Sequence, residues 1–139
     1  MSACKKKDDT GDKPSDSTSS KITLKIDGAN EIDYTTVNAL VLGDKLVIGA
    51  NKDNSDIQII VSSTIAVGTY TSAADIGLSH GVDSKAIFTS ATNMTSLSFV
   101  VSKHDKSAKL ITGTFSIHYN DNTNSSTHTA DGTFNVYYK

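Results

Sequence analysis

The chain has 139 residues, with thirteen lysines, no arginine, no tryptophan, one cysteine and a net charge of -2. That length makes one domain, or one domain and a tail. The lack of arginine and the slightly acidic balance argue against a nucleic-acid partner. The lone cysteine excludes a disulfide framework and a Cys-based zinc site, and no apolar run approaches the roughly 18 residues of a membrane-spanning helix. Ser, Thr and Asn number 45, the composition of a polar, β-prone domain.

Residues 1–20 read MSACKKKDDTGDKPSDSTSS. Between Cys4 and Ile22 there is no Ala, Val, Ile, Leu, Met, Phe or Tyr. Such a stretch cannot bury enough surface to offset the entropy of ordering it, so a flexible, charge-extended linker is expected. Ser2-Ala3-Cys4 has the small-small-Cys form of a bacterial lipoprotein processing site. The apolar signal that would precede it is absent from this sequence, and Met1 reads as a start codon placed where that signal was removed. The alternatives are a leader added for expression and a stray thiol. Lipidation at Cys4 would anchor the chain stably, because membrane affinity rises with each buried methylene. Lys7-Asp8-Asp9 resembles the lysine and two acidic residues that follow the lipidated cysteine in surface lipoproteins of Bacteroidota, where they direct export to the outer leaflet. An ordinary solvated charge run is the plainer alternative.

From Lys21 the pattern turns to period two. Ile22, Leu24 and Ile26 mark a half-buried strand, closed by Asp27-Gly28. Val37 to Leu42 is apolar, with one helical turn as an alternative anywhere in Tyr34 to Leu42. Gly43-Asp44 then signals a two-residue hairpin into Leu46-Val47-Ile48. Ile57, Ile59 and Val61 form one face of the next strand, and Gly68 to Thr71 is a short one. Residues 72–83 carry few anchors and read as a long loop. Lys85 to Thr89, Leu97 to Val101, Leu110 to Tyr119 and Thr127 to Tyr138 complete the strands, with Lys103 to Lys106 as a charged turn. The expected fold is therefore all-β: an antiparallel sandwich of eight or nine strands over residues 21–139, or a closed or partly open calycin-like barrel.

Gly113-Thr114-Phe115-Ser116-Ile117 recurs nineteen residues later as Gly132-Thr133-Phe134-Asn135-Val136, with Gly68-Thr69-Tyr70 as a shorter echo. Period two places Phe115, Ile117, Phe134 and Val136 in one core, and each glycine where a bulge or a close backbone approach is expected. The order of Asp27-Gly28, Leu46 to Gly49, Gly68-Thr69-Tyr70 and the two Gly-Thr-Phe segments resembles an uncharacterised β-rich domain of Bacteroidota lipoproteins. Such domains often carry a tryptophan after the first Asp-Gly, where this chain offers Tyr34. The resemblance implies a location and a fold type but no reaction.

Candidate chemistry is sparse. The four histidines show no metalloprotease spacing, and no G-x-S-x-G occurs. His118 and His128 flank the last loop and could oppose each other as a two-His metal contact; two exposed histidines are the plainer reading. Asn51 to Asp56 and Asn120 to Ser126 gather oxygen ligands, but the second lacks the glycine and glutamate of an EF-hand loop, so turn-forming clusters are favoured. Asp53, Asp56, Asp75 and Asp83 sit in expected loops and make a poor glycosidase pair. Tyr34, Tyr137 and Tyr138 are the residues singled out for stacking on a ligand. Neither an enzyme nor a bound cofactor or metal is expected. The reading that results is a monomeric, lipid-anchored outer-membrane protein, surface-exposed or facing the periplasm. It would contact the membrane through Cys4 and bind a glycan, a peptide or an envelope protein. The alternative is a barrel carrying a small apolar ligand.

Overall fold

The computed structural model describes residues 19–121 and 126–139. Cys4, Lys7, Asp8 and Asp9 lie outside the described residues, as do Asn122, Asn124 and Ser125 of the last loop. The described chain forms eleven strands and no helix: β1 (Lys21–Ile26), β2 (Ile32–Tyr34), β3 (Thr36–Leu42), β4 (Lys45–Lys52), β5 (Ser55–Ser62), β6 (Gly68–Tyr70), β7 (Gly77–Val82), β8 (Lys85–Thr89), β9 (Met94–Asp105), β10 (Leu110–Asn120) and β11 (Thr127–Tyr137). They make two antiparallel sheets, a six-stranded one in the order β2-β1-β11-β10-β9-β6 and a five-stranded one in the order β3-β4-β5-β7-β8. The sheets do not close into a barrel. The molecule is a sandwich, as expected, with two strands more than the pattern showed.

The two extra strands have identifiable reasons for being hidden. β2 is three residues long and meets β3 at Thr35, where the chain leaves one sheet for the other. β7 reads Gly-Leu-Ser-His-Gly-Val, poor in β-branched and aromatic residues. It lies in the segment expected to be a loop. Its Leu78 and His80 are buried, and Gly77 fits close under Ile60, where a Cβ would meet that side chain at 3.2 Å. The polar run from Asn51 to Asp56 is not a separate loop either. Asn51↔Asp56 and Lys52↔Ser55 are ladder pairs, and the turn is only Asp53-Asn54. Tyr34 to Leu42 is extended throughout apart from the break at Thr35.

The centre of the six-stranded sheet is the β10–β11 hairpin, and its register explains the repeated motif. Gly113 pairs with Phe134, Thr114 with Thr133, and Phe115 with Gly132. The two Gly-Thr-Phe segments therefore run antiparallel, and each phenylalanine covers the other's glycine. A Cβ on Gly113 would stand 2.5 Å from Phe134 Cζ and 1.9 Å from the Val100 carbonyl. One on Gly132 would stand 2.2 Å from Phe115 Cζ and 2.4 Å from the Thr23 carbonyl. Aromatic rings laid over facing glycines are a known device for fixing sheet register. The close approach expected of these glycines is present at both, and a bulge also falls beside Gly113: the β10–β11 ladder is regular, but β9–β10 shifts register between Val101↔Gly113 and Lys103↔Thr112. Phe115, Phe134, Ile117 and Val136 are all buried. Phe99 on β9 stacks on Phe134 with ring centroids 5.0 Å apart. Opposite them the five-stranded sheet contributes Leu46, Ile48, Ile57, Ile59, Leu78 and Phe88, all at 2% exposure or less.

The sheets are stitched at both sides. On one, the Lys139 carbonyl accepts the Val41 N–H at 3.1 Å and the Lys139 N–H donates to the Ala39 carbonyl at 3.1 Å, so the chain end pairs with the edge of β3. On the other, the Asn93 side chain accepts the Thr89 N–H at 2.9 Å and donates to the Ile87 carbonyl at 3.0 Å, standing in for a strand beside β8. The same amide reaches the Asn120 carbonyl at 2.7 Å, tying β8 to β10.

Truncating a packed phenylalanine removes about 3–5 kcal/mol from a total of about 5–15 kcal/mol. Phe115→Ala and Phe134→Ala should each lower the melting temperature by many degrees. Gly113→Ala and Gly132→Ala should be at least as damaging, because the added methyl meets backbone carbonyls that cannot rotate away. Ser116→Ala and Asn135→Ala, on the outer face, should stay within about 1 kcal/mol of the parent. Urea unfolding of the six variants checks the order.

Candidate functional site

The outer faces of the two sheets differ in how their polar groups are used. On the six-stranded sheet they bond to each other across strands. Thr23 and Thr133 share a hydroxyl contact of 2.7 Å, Thr112 donates to Asn135 Oδ1 at 2.7 Å, and Ser116 donates to Asp131 Oδ1 at 2.7 Å. Ser96 and His118 pair at 2.9 Å. Such cross-strand pairs stabilise the sheet.

The five-stranded sheet is the opposite case. Its register aligns Asn38, Gly49, Gln58, Ser79 and Thr89 in one row across all five strands. The next row holds Thr36, Asn51, Asp56 and Gly81, and the row on the other side holds Leu40, Val47, Ile60 and Gly77. The side chains of Asn38, Asn51, Gln58 and Ser79 make no hydrogen bond to another described residue. Gly49, in the middle, lacks a side chain and has nothing within 4 Å of where a Cβ would be. The result is a depression of about 370 Å3 lined by Asn38, Gly49, Asn51, Asp56, Gln58 and Ser79, with Ala50 and Ile57. Exposed Leu40, at 40%, and half-buried Val47 and Ile60 form an aliphatic bank beside it.

Asp56 is the junction of this surface. It borders the 370 Å3 depression, a second of about 650 Å3 with Asn51, Asp53, Asn54, Asp83 and Ser84, and a third of about 220 Å3 with Ser79, His80 and Lys85. Its carboxylate lies over Gly81, whose Cβ would meet Oδ1 at 3.2 Å. The two hairpin tips of the second depression are held together by Asn54 Nδ2 donating to Asp83 Oδ1 at 2.6 Å and by the Asp83 N–H on the Asn54 carbonyl at 2.9 Å. Beneath Asp56, His80 Nδ1 is 2.7 Å from the Asp56 carbonyl oxygen. A carbonyl only accepts, so Nδ1 carries the proton and the ring is the Nδ1–H tautomer. His80 packs on Phe88 at 5.6 Å and is 3% exposed, and this burial pushes its pKa down.

The tyrosines singled out from the sequence lie elsewhere. Tyr34 is fully buried, and its hydroxyl donates to Ser55 Oγ at 3.1 Å across the two sheets. Tyr137 is half-buried at the end of β11, with its N–H on Ser20 Oγ at 2.9 Å. The Tyr138 hydroxyl meets His104 Nε2 at 2.8 Å, while His104 Nδ1 donates to the Ile65 carbonyl at 2.7 Å. None of the three lines the depressions around Asp56. His118 and His128 do not oppose each other. His118 pairs with Thr129 and His128 with Tyr119, an offset of one residue that puts the imidazoles on opposite faces.

Sequence reasoning missed one cluster altogether. Asp27, with φ of 51°, accepts the Thr129 N–H at 2.9 Å and His128 Nδ1–H at 2.5 Å. His128 Nε2 lies 3.0 Å from Ser126 Oγ, and its ring stacks on Tyr119 at 5.3 Å. The Thr129 amide and then His128 hold the Asp27 carboxyl below the usual carboxylate range. The order hydroxyl–imidazole–carboxylate is that of a nucleophile relay. Here it joins the turn after β1 to the start of β11. The partners are 101 residues apart in sequence, and no local signal links them.

Among the described residues, no three His, Cys, Asp or Glu side chains are placed to hold a metal ion, and no helix is long and apolar enough to cross a membrane. The sequence matches no protein-family model and no curated protein.

His80 gives this region a pH signature. Its folded pKa is depressed, so the unfolded chain takes up the proton first as pH falls through about 6.5. Stability is whole above that value and declines below it, by at most about 1.4 kcal/mol per pH unit. Urea unfolding from pH 7.5 to 5.0 should show this slope, and His80→Asn should flatten it.

Proposed function

We propose that this protein is a non-enzymatic, lipid-anchored binding module of the bacterial cell envelope, tethered at Cys4, with the outer face of its five-stranded sheet as the contact surface. The observation that carries the reading is the contrast between the two outer faces: one pairs Thr23, Thr112, Ser116 and Ser96 with polar side chains on neighbouring strands, and the other presents a glycine-floored depression lined by amides that bond to nothing else in the described protein. The interior is filled by Phe99, Phe134, Ile48, Ile59 and Leu78, which favours a surface site over an enclosed carrier cavity. Ser2-Ala3-Cys4 supplies the lipidation chemistry, and Lys7-Asp8-Asp9 favours the outer leaflet of the outer membrane. The domain works as a monomer and without a cofactor.

Expressed in a bacterium with a lipoprotein signal segment ahead of Cys4, the protein should fractionate with membranes. Cys4→Ala should move it to the soluble fraction. Retention of that variant in the membrane pellet would contradict the anchor.

A further inference from the structure

We infer that the depression across the five-stranded sheet binds a neutral, linear saccharide, lying across the strands rather than along them. The inference rests on the reading of this face as the contact surface, and it names the ligand's chemistry.

Three features select that ligand. The first is polarity without cationic charge. Asn38, Asn51 and Gln58 each offer a planar donor and acceptor, Ser79 a hydroxyl and Asp56 a carboxylate that accepts from hydroxyl groups, and no lysine lines the depression. That set matches vicinal hydroxyls and disfavours sulfated or phosphorylated polymers. The second is shape. The depression is lined from four strands, β3, β4, β5 and β7, which at about 4.8 Å per strand gives a trench roughly 14 Å long, open at Gly49. Leu40, Val47 and Ile60 flank it, supplying an apolar surface for the C–H faces of sugar rings in place of an aromatic platform. The third feature weighs against an extended peptide. A peptide gains most of its affinity by adding a strand to a free sheet edge. Here Lys139 occupies the β3 edge and the Asn93 side chain occupies the β8 edge. A chain lying across the trench would meet side chains, not a free backbone ladder.

The expected behaviour follows from hydrogen bonding between neutral groups. Removing two amides weakens binding about tenfold. Gly49 permits a sharper variant. Space above it is open and its backbone needs no positive φ, so Gly49→Val should fold at least as stably as the parent while filling the trench.

Titration calorimetry of the 139-residue chain against soluble xylan, mixed-linkage β-glucan, galactomannan and pullulan tests this, with dextran sulfate as the anionic comparison. The expected result is binding of at least one neutral polymer and none of dextran sulfate. That binding should be about tenfold weaker in Asn38→Ala/Gln58→Ala and abolished in Gly49→Val, with melting temperatures unchanged or raised. Binding of no neutral polymer, tighter binding of dextran sulfate, or full binding by a folded Gly49→Val would each overturn the inference. Failure here leaves the Cys4→Ala membrane result untouched, and failure of that result leaves the calorimetry untouched, so the two readings fall separately.

Discussion

The reciprocal packing of Phe134 over Gly113 and Phe115 over Gly132 is the constraint from which the rest of the molecule follows. It fixes the register of the longest hairpin. A slip of one residue would put Phe115 and Phe134 on opposite faces, turning one ring to solvent and bringing Ser116 or Asn135 inside. It also reaches beyond the hairpin. The Val100 carbonyl of β9 stands over Gly113 and the Thr23 carbonyl of β1 over Gly132, so the same two glycines set how closely the flanking strands approach. Four strands are thereby locked together, and Phe99 stacked on Phe134 carries that order into the core shared with the second sheet.

The second sheet inherits its position from ties at its sides. Lys139 follows directly from β11 and pairs with the edge of β3; Asn93 joins β8 to the end of β10; the buried Tyr34 hydroxyl reaches Ser55 on β5. Each tie uses a polar group whose desolvation would be unfavourable if it were left unpaired, which makes the arrangement specific as well as stable. The edges that these ties cover are also the places where sandwiches otherwise aggregate. Between these two covered edges lies the outer face of the five-stranded sheet, where Asn38, Asn51 and Gln58 are unpaired among the described residues.

The strands with period-two alternation were legible from residues alone: Ile22 to Ile26, Ile57 to Val61, Leu97 to Val101 and the final hairpin. So was the close approach at the paired glycines, although their reciprocity needed the register. β7 was not legible, because its glycines exist to fit beneath Ile60 and beside Asp56, a tertiary reason that propensity cannot express. The depression was hidden for a similar cause. Asn38, Gly49, Gln58 and Ser79 are each unremarkable surface residues nine to twenty-one positions apart, and only the ladder places them in one row. Tyrosine drew attention as the residue type suited to stacking, yet Tyr34 is fully buried and Tyr138 pairs with His104.

The frame and the polar outer face of the second sheet are thus separate parts of the sandwich. The six-stranded sheet holds the register, and the five-stranded sheet packs on it with the side chains of Asn38, Asn51, Gln58 and Ser79 unpaired among the described residues on its outer face. Native-state amide exchange tests that division most directly, because it ranks strands by the free energy needed to open them. The slowest amides should be those flanking Phe115 and Phe134 in β10 and β11, exchanging only through global unfolding, while β3 and β8 open at lower free energy. If the slowest amides instead lie in the five-stranded sheet, with the β10–β11 hairpin opening ahead of it, the paired glycines and phenylalanines are not the frame on which the molecule is built.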